Sequence, residues 1–353
     1  MGKLYDRICD FQNLYEASRM AAKGKRYKSA VMRFFSENIE ESLFDLQNEL
    51  ATKTYKLGAF RNFTVHEPKK REISALPFRD RVVQVALCNI IEPLFERQFI
   101  YDTYACRVGK GTHAAARRLS YFVGKPDARI YLKCDIKKYF FSVDIVRLME
   151  IIKERYIKDD DDVMWLIETI LRADYNGSGI KIGNRFSQLA ANAFLAEMDF
   201  FLKVRLQIPY YIRYMDDFVV LSNSKAELKR ILYLAEAFAE GRLGLKLNDK
   251  TRIDSVRNGI DFVGFRIFPR NKIIKKGSMN RTTAVFRAWR SGKMTDEKFL
   301  ASIGSRCGHA EGTASYQFYN KILLKSLQTA LAPKDTSTWG GVNNENPDKV
   351  LRR

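Results

Sequence analysis

The chain has 353 residues, enough for one large domain or two to three smaller ones with a substantial core. Hydrophobic residues make up 46% and charged residues 29%, which is ordinary for a globular protein. Lys and Arg outnumber Asp and Glu by 61 to 41, a formal net charge of +20. This charge favours a polyanionic partner, above all a nucleic acid, although an anionic membrane surface or a gain in solubility would also fit it.

The cysteine and histidine content excludes an obvious zinc site. The five cysteines are widely separated, and there are only three histidines. Cysteines without close partners indicate a reducing compartment. No apolar run reaches membrane-spanning length, and the N-terminus lacks the apolar core of a signal peptide. We therefore expect a cytoplasmic protein with no membrane partner.

The sequence pattern of the first part of the chain predicts helices, then two strands and a further helix. Apolar residues recur at helical spacing within residues 4–50. Two short runs at 63–67 and 72–76 predict strands that are joined by a Pro-Lys-Lys-Arg turn, and a helix is predicted over 82–95. A basic turn between strands is suited to contact the phosphates of a bound triphosphate.

Two later stretches place carboxylates at the ends of predicted strands. Residues 129–136 alternate between polar and apolar side chains up to Asp135. In residues 210–221, β-forming residues flank Asp216 and Asp217, as in a tight hairpin with both acids at its tip. Neighbouring carboxylates repel each other, so this pattern favours a bound divalent cation. Because strands pack about 4.8 Å apart, the three acids are expected to meet and to hold two metal ions about 3.5–4 Å apart.

Acidic patterns also have simpler interpretations. Asp favours solvated turns in general, and a pattern such as Tyr-x-Asp-Asp arises by chance in roughly a few per cent of chains of this length. The run Asp159–Asp162 is interpreted as the start of a helix over 163–171, whose positive N-terminal end attracts carboxylates. The functional hypothesis therefore depends on the hairpin and the strand that ends at Asp135 together.

The tetrapeptide Tyr214–Asp217 resembles the signature of reverse transcriptases, and the strand that ends at Asp135 resembles their first catalytic motif. The resemblance extends in the same order over roughly residues 10 to 330. It implies an α+β, right-hand polymerase fold with an antiparallel palm sheet packed on helices. The implied boundaries are fingers with N-terminal helices at 1–125, palm at 126–270, a short helical thumb at 271–330 and a mobile tail at 331–353.

The resemblance further implies an RNA-directed DNA polymerase. Asp135, Asp216 and Asp217 are then catalytic residues that hold two Mg²⁺ ions, and template RNA, a cDNA or primer strand and dNTPs are the partners. Phe140 lies five positions past Asp135, where an aromatic residue excludes a 2′-hydroxyl in the family. Core packing is the simpler role for a single Phe. Its position predicts synthesis of DNA.

The same resemblance implies nucleotide-binding roles for three basic residues. Arg71 corresponds to a fingers arginine that contacts the incoming nucleotide. Arg81 is a second candidate, for which pairing with Asp80 or a helix cap is the alternative. Lys250 is expected near the triphosphate, where it would protonate departing pyrophosphate, unless it is a surface lysine in a turn.

Two further stretches are expected to contact nucleic acid. Residues 260–267 alternate like a strand and resemble the hairpin that grips the primer end in the family, with Phe262 and Gly264 at the primer end. The Gly/Lys-rich loop at 104–113 lacks the spacing of a Walker phosphate loop. It is either a template or primer phosphate contact or a plain turn.

The fourth motif departs from the usual family pattern. Most reverse transcriptases have Gln-Gly where this chain has Ile182 and Gly183, and the glutamine hydrogen-bonds the incoming nucleotide. Loss of that polar contact weakens discrimination between right and wrong bases. The form Ile-Gly-Asn-x-x-Ser-Gln resembles the reverse transcriptases of diversity-generating retroelements, which miscopy template adenines. The resemblance implies error-prone cDNA synthesis for mutagenic retrohoming, with a small, helical, oligomeric accessory protein, the accessory variability determinant.

Two alternatives stay open. The first is a reverse transcriptase of the group II intron, retron or phage-defence kind. Group II relatives usually have a maturase region and a Gln-Gly-Gly motif, and retron relatives have a Val-Thr-Gly thumb signature that this sequence lacks. The second is a basic RNA-binding scaffold with an inactive polymerase site, against which the complete set of aspartates argues.

Overall fold

The computed structural model describes residues 4–36, 38–66, 71–173 and 179–331, without the side chains of Arg71, Leu323 and residues 325–331. The described residues form fourteen α-helices: α1 (Leu4–Cys9), α2 (Phe11–Ala22), α3 (Ser29–Ser36), α4 (Ile39–Ala51), α5 (Phe78–Glu96), α6 (Thr112–Val123), α7 (Tyr139–Ser142), α8 (Ile145–Arg155), α9 (Asp161–Arg172), α10 (Arg185–Phe200), α11 (Lys225–Phe238), α12 (Lys276–Arg290), α13 (Asp296–Ala310) and α14 (Tyr316–Leu331). They also form nine strands: β1 (Arg61–Val65), β2 (Arg71–Ala75), β3 (Ile130–Asp135), β4 (Tyr211–Tyr214), β5 (Asp217–Ser222), β6 (Arg252–Ser255), β7 (Ile260–Phe262), β8 (Phe265–Ile267) and β9 (Lys272–Ile274).

The chain divides into two compact units, Met1–Arg270 and Asn271–Arg353. The mixture of helices and antiparallel strands confirms the predicted α+β class. The assignment of fingers, palm and thumb to particular residues stays a prediction. None of the described helices combines the length and apolar character that a membrane span requires.

A four-stranded antiparallel sheet lies at the centre of the first unit, in the order β4-β5-β3-β6. The alternation in β3 explains its central place. Leu132 and Cys134 are buried in the hydrophobic core, whereas Lys133 and Asp135 lie on the opposite face of the strand. The helix α11 packs across β3, β5 and β6 and so covers the apolar face. The polar side chains of β3 are thereby left on the other face.

The helix α5 is the packing centre of the N-terminal helices. It contacts α1, α2, α3 and α10, and apolar residues on several of its sides are buried, as expected for a helix enclosed by others. The acidic run follows its predicted role, because Asp160 precedes α9 and its carboxylate accepts a hydrogen bond from the Val163 N–H at 3.1 Å. The Tyr5 N–H also donates to Asp160, at 3.2 Å, and this bond ties α1 to the start of α9.

Two small hairpins complete the first unit. β1 and β2 pair in antiparallel register, from Arg61 opposite Ala75 to Val65 opposite Arg71. Of the predicted Pro-Lys-Lys-Arg turn at 68–71, Arg71 is the first residue of β2, and residues 67–70 lie outside the described residues. Residues 260–267 form a hairpin, as the resemblance to the primer grip implies. Val263 and Gly264 both have positive φ, 44° and 92°, so the chain reverses there and β7 pairs with β8.

The second unit consists of β9 and the helices α12, α13 and α14. The Ile274 N–H donates to the Ser315 hydroxyl at 3.1 Å, which fixes the strand to the segment before α14. The Trp289 and Phe299 rings stack with centroids 4.3 Å apart and join α12 to α13. Of the predicted mobile tail, residues 332–353 lie outside the described part of the chain.

Candidate active site

Strand pairing brings the predicted carboxylates to one end of the central sheet. Asp135 is the residue of β3 that pairs with Asp217 at the start of β5. The N–H of Ile136 donates to the carbonyl of Asp216 at 3.2 Å, so the chain after β3 is bonded to the turn between β4 and β5. The predicted hairpin is therefore present. Asp135 lies beside the tip of this hairpin, although 80 residues of chain come between Asp135 and Asp216. All three aspartates are partly exposed.

The turn between β4 and β5 is conformationally demanding. Met215 has φ of +53°, a left-handed conformation that is uncommon for a residue other than Gly, Asn or Asp. Such a conformation persists only where the surrounding structure determines it. The Nη1 group of Arg213 donates to the Met215 carbonyl at 2.9 Å. A buried guanidinium therefore holds the peptide that orients Asp216.

Arg213 belongs to a buried ion pair with Asp199 of α10. The side chains are 1% and 0% exposed, and Nε and Nη2 donate to the two carboxylate oxygens at 2.6 Å each. Asp199 also accepts hydrogen bonds from the Tyr211 hydroxyl at 2.5 Å and the Thr103 hydroxyl at 2.8 Å. Burial lowers the pKa of Arg213, but the Asp199 carboxylate outweighs it and raises that pKa above its usual value. The guanidinium therefore stays charged.

Sequence reasoning missed this pair. The available signal was one Arg inside the apolar run that forms β4, at a position that alternation places among buried neighbours. Asp199 lies near the end of the largely buried helix α10, where it carried no motif.

Lys133 supplies a cation inside the acidic cluster. Its ammonium donates to the Asp217 carboxylate at 2.6 Å and to the Asp261 carbonyl in β7, also at 2.6 Å. Lys133 is two residues before Asp135, so strand periodicity puts both side chains on one face. The lysine therefore bonds Asp217 to the hairpin that contains Phe262 and Gly264. The sequence analysis did not predict this bridge.

Asp217 keeps one carboxylate oxygen, Oδ1, that is sealed from solvent and has no hydrogen-bond partner among the described residues. Burial raises the pKa of Asp217 to about 6, Lys133 opposes this shift, and the Asp135 and Asp216 carboxylates add to it. An orphaned carboxylate oxygen beside two further acids suits a hard cation, since Mg²⁺ takes oxygen ligands.

As the side chains lie, the described part of the chain has no group of three or more His, Cys, Asp and Glu side chains gathered as a metal-binding set. The donor chemistry fits Mg²⁺, and Lys133 occupies one oxygen of Asp217. Asp135, Asp216 and Asp217 thus stay the predicted ligands.

Hydrogen bonds from Asn248 also fix the position of Asp135. The Asn248 N–H donates to the Asp135 carbonyl at 2.7 Å, and the Asn248 side-chain amide donates to Asp135 Oδ1 at 3.2 Å. The same asparagine accepts the Lys250 N–H at 3.1 Å and so shapes the turn in which Lys250 lies. The Lys250 side chain is exposed, two residues from the asparagine that contacts Asp135. Its expected role near a triphosphate stays a prediction.

The fourth-motif loop lies against both the β1–β2 hairpin and the chain after β3. The Ile182 carbonyl accepts the Ser74 N–H at 3.0 Å, and the Ile180 N–H donates to the Phe140 carbonyl at 2.8 Å. Gly183 has φ of +115°, and a Cβ there would lie 2.9 Å from the Ile73 side chain. A glycine is therefore required for this approach. Residues 174–178 before the loop lie outside the described residues.

Phe140 is partly buried and packs against the hydrophobic core, with its ring 5.5 Å from that of Tyr139. Its neighbour Phe141 is exposed. Phe140 thus has the core contact that its simpler role requires, while its backbone is bonded to the loop of Ile182. Its role as a sugar gate stays a prediction.

The two arginine candidates have different surroundings. Arg71 begins β2, and its side chain lies outside the described residues. Arg81 Nε donates to the Leu76 carbonyl at 3.0 Å, just before α5 begins. This bond does not support the helix-cap alternative, because the N-cap of α5 is Pro77 and no side chain caps the helix there. The alternative pairing with Asp80 is wrong, because Asp80 is buried and accepts hydrogen bonds from the Tyr55 hydroxyl and the Gly58 N–H.

The predicted primer-grip residues lie on the hairpin that Lys133 contacts. Phe262 is buried, and the Lys133 ammonium is 5.6 Å from its ring centroid. Gly264 is exposed and forms the second position of the β7–β8 turn. Contact of either residue with a primer stays a prediction.

Arg213→Met should reduce the free energy of unfolding by about 3–5 kcal/mol, because it leaves the Asp199 carboxylate buried without its cation. The double variant Arg213→Met/Asp199→Asn should recover most of this loss, since no buried charge remains. Urea denaturation measures both. The exposed pair of Arg172 and Glu168 provides the control, and Arg172→Met should cost less than about 1 kcal/mol. Equal losses in Arg213→Met and Arg172→Met would contradict the assigned role.

Ionisation of Asp217 should lower the free energy of unfolding as pH rises from about 4 to about 6. Its folded-state pKa, about 6, is above the ordinary value of 3.8, so the folded protein binds this proton more tightly than the unfolded chain does. Over that pH range, the free energy of unfolding of the wild type should fall relative to that of Asp217→Asn, by at most about 3 kcal/mol. Denaturation without divalent metal measures the difference. A difference that stays flat or moves the other way would show that the carboxyl is ionised more easily than burial suggests.

Comparison with known proteins identifies the family of this chain. Residues 64–267, more than half of the chain, match the model for reverse transcriptase (RNA-dependent DNA polymerase). Protein YkfC of Escherichia coli strain K12 is 28% identical over 243 residues, which cover 56% of this chain and 63% of that protein. The group II intron-encoded protein LtrA of Lactococcus lactis subsp. cremoris is 28% identical over 235 residues, which cover 63% of this chain and 37% of that protein. The chain thus spans less than two-thirds of the length of these curated relatives.

A solved structure shows the same fold. Apo telomerase from Candida tropicalis superimposes with a TM-score of 0.55 at 12% identity, covering 82% of this chain and 63% of that one. This likeness confirms the predicted polymerase fold. The match over residues 64–267 shows that the chain belongs to the reverse transcriptase family.

Proposed function

We propose that the protein is an RNA-directed DNA polymerase that synthesises cDNA on a template RNA. The observation that carries this proposal is the register that sets Asp135 opposite Asp217, beside the Met215–Asp216 turn. Family membership supplies the reaction class, and the net charge of +20 fits a chain that binds nucleic acid. The substrates are template RNA, a primer or cDNA strand and dNTPs.

Asp135, Asp216 and Asp217 would hold two Mg²⁺ ions. When bound, the ions lower the pKa of the primer 3′-hydroxyl and neutralise charge on the α-phosphate and the pyrophosphate. The chain's own residues position the acids: Arg213 holds the turn before Asp216, and Lys133 fixes one oxygen of Asp217. Positioning of this kind lets the electrostatic interactions act without reorganisation during the reaction.

Nucleotide selection is proposed for the residues around the fourth-motif loop. Phe140 would exclude a 2′-hydroxyl, and Arg71, Arg81 and Lys250 would meet the triphosphate. The support is the hydrogen bond between the Ile180 N–H and the Phe140 carbonyl, which links the predicted gate to the loop of Ile182.

Asp216→Asn should abolish primer extension, with a loss of at least about 10²-fold, because a neutral amide replaces a carboxylate ligand of the metal. RNA binding measured by filter retention should remain close to that of the wild type. Extension is measured with dNTPs and Mg²⁺, beside a parallel reaction with NTPs that tests exclusion of the 2′-hydroxyl. Asp249→Asn, at a 90% exposed aspartate in the turn after Asn248, is the matched control and should stay active. Undiminished extension by Asp216→Asn would rule out the proposed site.

We further propose that the enzyme belongs to the diversity-generating retroelement type and makes error-prone cDNA, with an oligomeric accessory protein. The support is the apolar Ile182 where other members place a glutamine amide. Its carbonyl accepts the Ser74 N–H of β2, which fixes the loop of Ile182 against the β1–β2 hairpin. A site without that amide discriminates less between right and wrong bases.

A group II intron type of reverse transcriptase is the second candidate. The matches to LtrA of Lactococcus lactis and to the nuclear intron maturase 2 of Arabidopsis thaliana, 31% identical over 93 residues, favour it. The two candidates share the aspartates and differ in fidelity, so the error spectrum separates them.

Ile182→Gln should reduce misincorporation opposite template adenine, because the introduced amide restores a hydrogen bond to the incoming nucleotide. Sequencing of cDNA made on a defined template measures the error at each base. Ile182→Leu is the control, since it keeps an apolar side chain of similar volume and should keep the errors. An adenine error rate that is equal in the wild type and both variants would refute the proposed cause of low fidelity.

A further inference from the structure

A row of alternating cations and tyrosine rings lies on the surface of the first unit, along α6 and the loop before it. We propose that this row binds the bases and phosphates of single-stranded nucleic acid outside the polymerase site. Its members, named here the α6 ladder, are Lys110, Tyr101, Arg118, Tyr121 and Lys125.

The ladder is continuous from one end to the other. The Lys110 ammonium is 3.6 Å from the ring centroid of Tyr101, and the Arg118 guanidinium carbon is 5.2 Å from the same centroid. On its other side, Arg118 is 5.4 Å from the ring centroid of Tyr121, which the Lys125 ammonium approaches to 4.3 Å. Each ring is thus flanked by two cations at distances typical of cation–π contacts.

The two rings are available to a ligand. Tyr101 is 67% exposed and Tyr121 is 54% exposed, although each is in contact with charged neighbours. Buried aromatic residues support the ladder from beneath, because Tyr104 is 4.5 Å from the Lys110 ammonium and Phe122 is 4.5 Å from the Arg118 guanidinium. The rings are therefore held on a fixed scaffold, and ordering them on binding costs little conformational entropy.

The charge of the ladder remains positive after its internal pairings are counted. Arg118 binds Asp102 with Nε 2.7 Å from the carboxylate, and Lys203 approaches the same carboxylate to 3.1 Å. Asp102, a single buried acid, therefore balances the charge of Arg118. For the ammonium groups of Lys110 and Lys125, the described residues show no ion pair with a carboxylate. An exposed acid, Asp127, lies beyond the far end, where it accepts from the Tyr210 hydroxyl.

The ladder runs from the neighbourhood of the carboxylates toward the opposite end of the sheet. At one end, the Tyr104 N–H donates to the carbonyl of Arg213, two residues before Met215. At the other end, Phe122 contacts the ring of Tyr210, where β4 begins. Along β4, the three steps from Tyr210 to Arg213 separate these two contacts by about 10 Å. A strand that follows the ladder would thus leave the polymerase site along one side of the sheet.

Exposed rings between cations are suited to unpaired bases. Each base offers a π-face for stacking, whereas in a duplex those faces are already stacked, and phosphates bind the lysines on either side. The ladder therefore fits a single strand. Assignment of this strand to the template RNA rests on the proposed function, but binding itself requires neither catalysis nor metal.

The test compares two fluorescent RNA probes, a blunt duplex and the same duplex with a 16-nucleotide unpaired uridine extension, by anisotropy without metal or nucleotides. The wild type should bind the extended probe more tightly. Tyr101→Ala/Tyr121→Ala should weaken binding of the extended probe by at least about five-fold, and leave binding of the blunt duplex unchanged. Arg118 is left intact, because its removal would strand the buried Asp102 carboxylate.

A second variant separates stacking from charge. Lys110→Gln/Lys125→Gln should reduce the slope of log affinity against log salt for the extended probe by about 1.4, about 0.7 for each phosphate contact. The tyrosine variant should leave that slope unchanged.

Two variants of α11 are matched controls, Tyr233→Ala at a 70% exposed ring and Lys225→Gln/Lys229→Gln at two exposed lysines. Wild-type binding of the extended probe by both ladder variants would overturn the proposal, and would fit a ladder that docks another protein instead. Equal losses on the blunt and extended probes would also overturn it. Loss of primer extension in Asp216→Asn tests the polymerase separately, so the two proposals fail independently.

Discussion

The buried ion pair between Arg213 and Asp199 is the interaction on which the site depends. It joins the edge strand β4 to α10, and the Thr103 hydroxyl brings the segment before α6 to the same carboxylate. Because the guanidinium also binds the Met215 carbonyl, the position of the turn follows from the packing of a helix against a strand. A buried ion pair is weak support for stability, and its retention is better explained by the geometry that it imposes.

Electrostatic repulsion among the aspartates is balanced in two ways. Lys133 neutralises part of the charge from within the sheet, and its second bond carries the contact on to β7. Burial, and to a smaller extent the Asp135 and Asp216 carboxylates, raises the pKa of Asp217, and its Oδ1 has no hydrogen-bond partner among the described residues. A bound divalent cation would relieve both. The aspartates therefore have negative charge that a cationic ligand would neutralise. Lys133 links these aspartates to the hairpin of Phe262 and Gly264.

Basic residues outside the site have two distinct arrangements. Several are paired with carboxylates, as Arg107 is with Glu96 and Arg185 is with Glu92. The ladder along α6 is different, because its cations alternate with exposed rings, and of these cations Arg118 is the one with a described carboxylate partner. Net charge alone attracts any polyanion, whereas this alternation selects for unstacked bases. A reverse transcriptase fold with such a surface has a place for a strand that is not yet, or no longer, paired.

Local sequence patterns determined the elements that carry the catalytic acids. Alternation up to Asp135 and the acid pair in a β-forming run predicted β3 and the hairpin, and Asp160 took its place at the start of α9, because strand periodicity and helix capping act between near neighbours. Alternation over residues 260–267 did not locate the turn of that hairpin, since it does not report the positive φ that reverses the chain at Val263. The partnerships of Lys133 with Asp217 and of Arg213 with Asp199 were decided only by the tertiary structure. Strand register and helix packing bring those side chains together across 84 and 14 residues, and no local pattern encodes either distance.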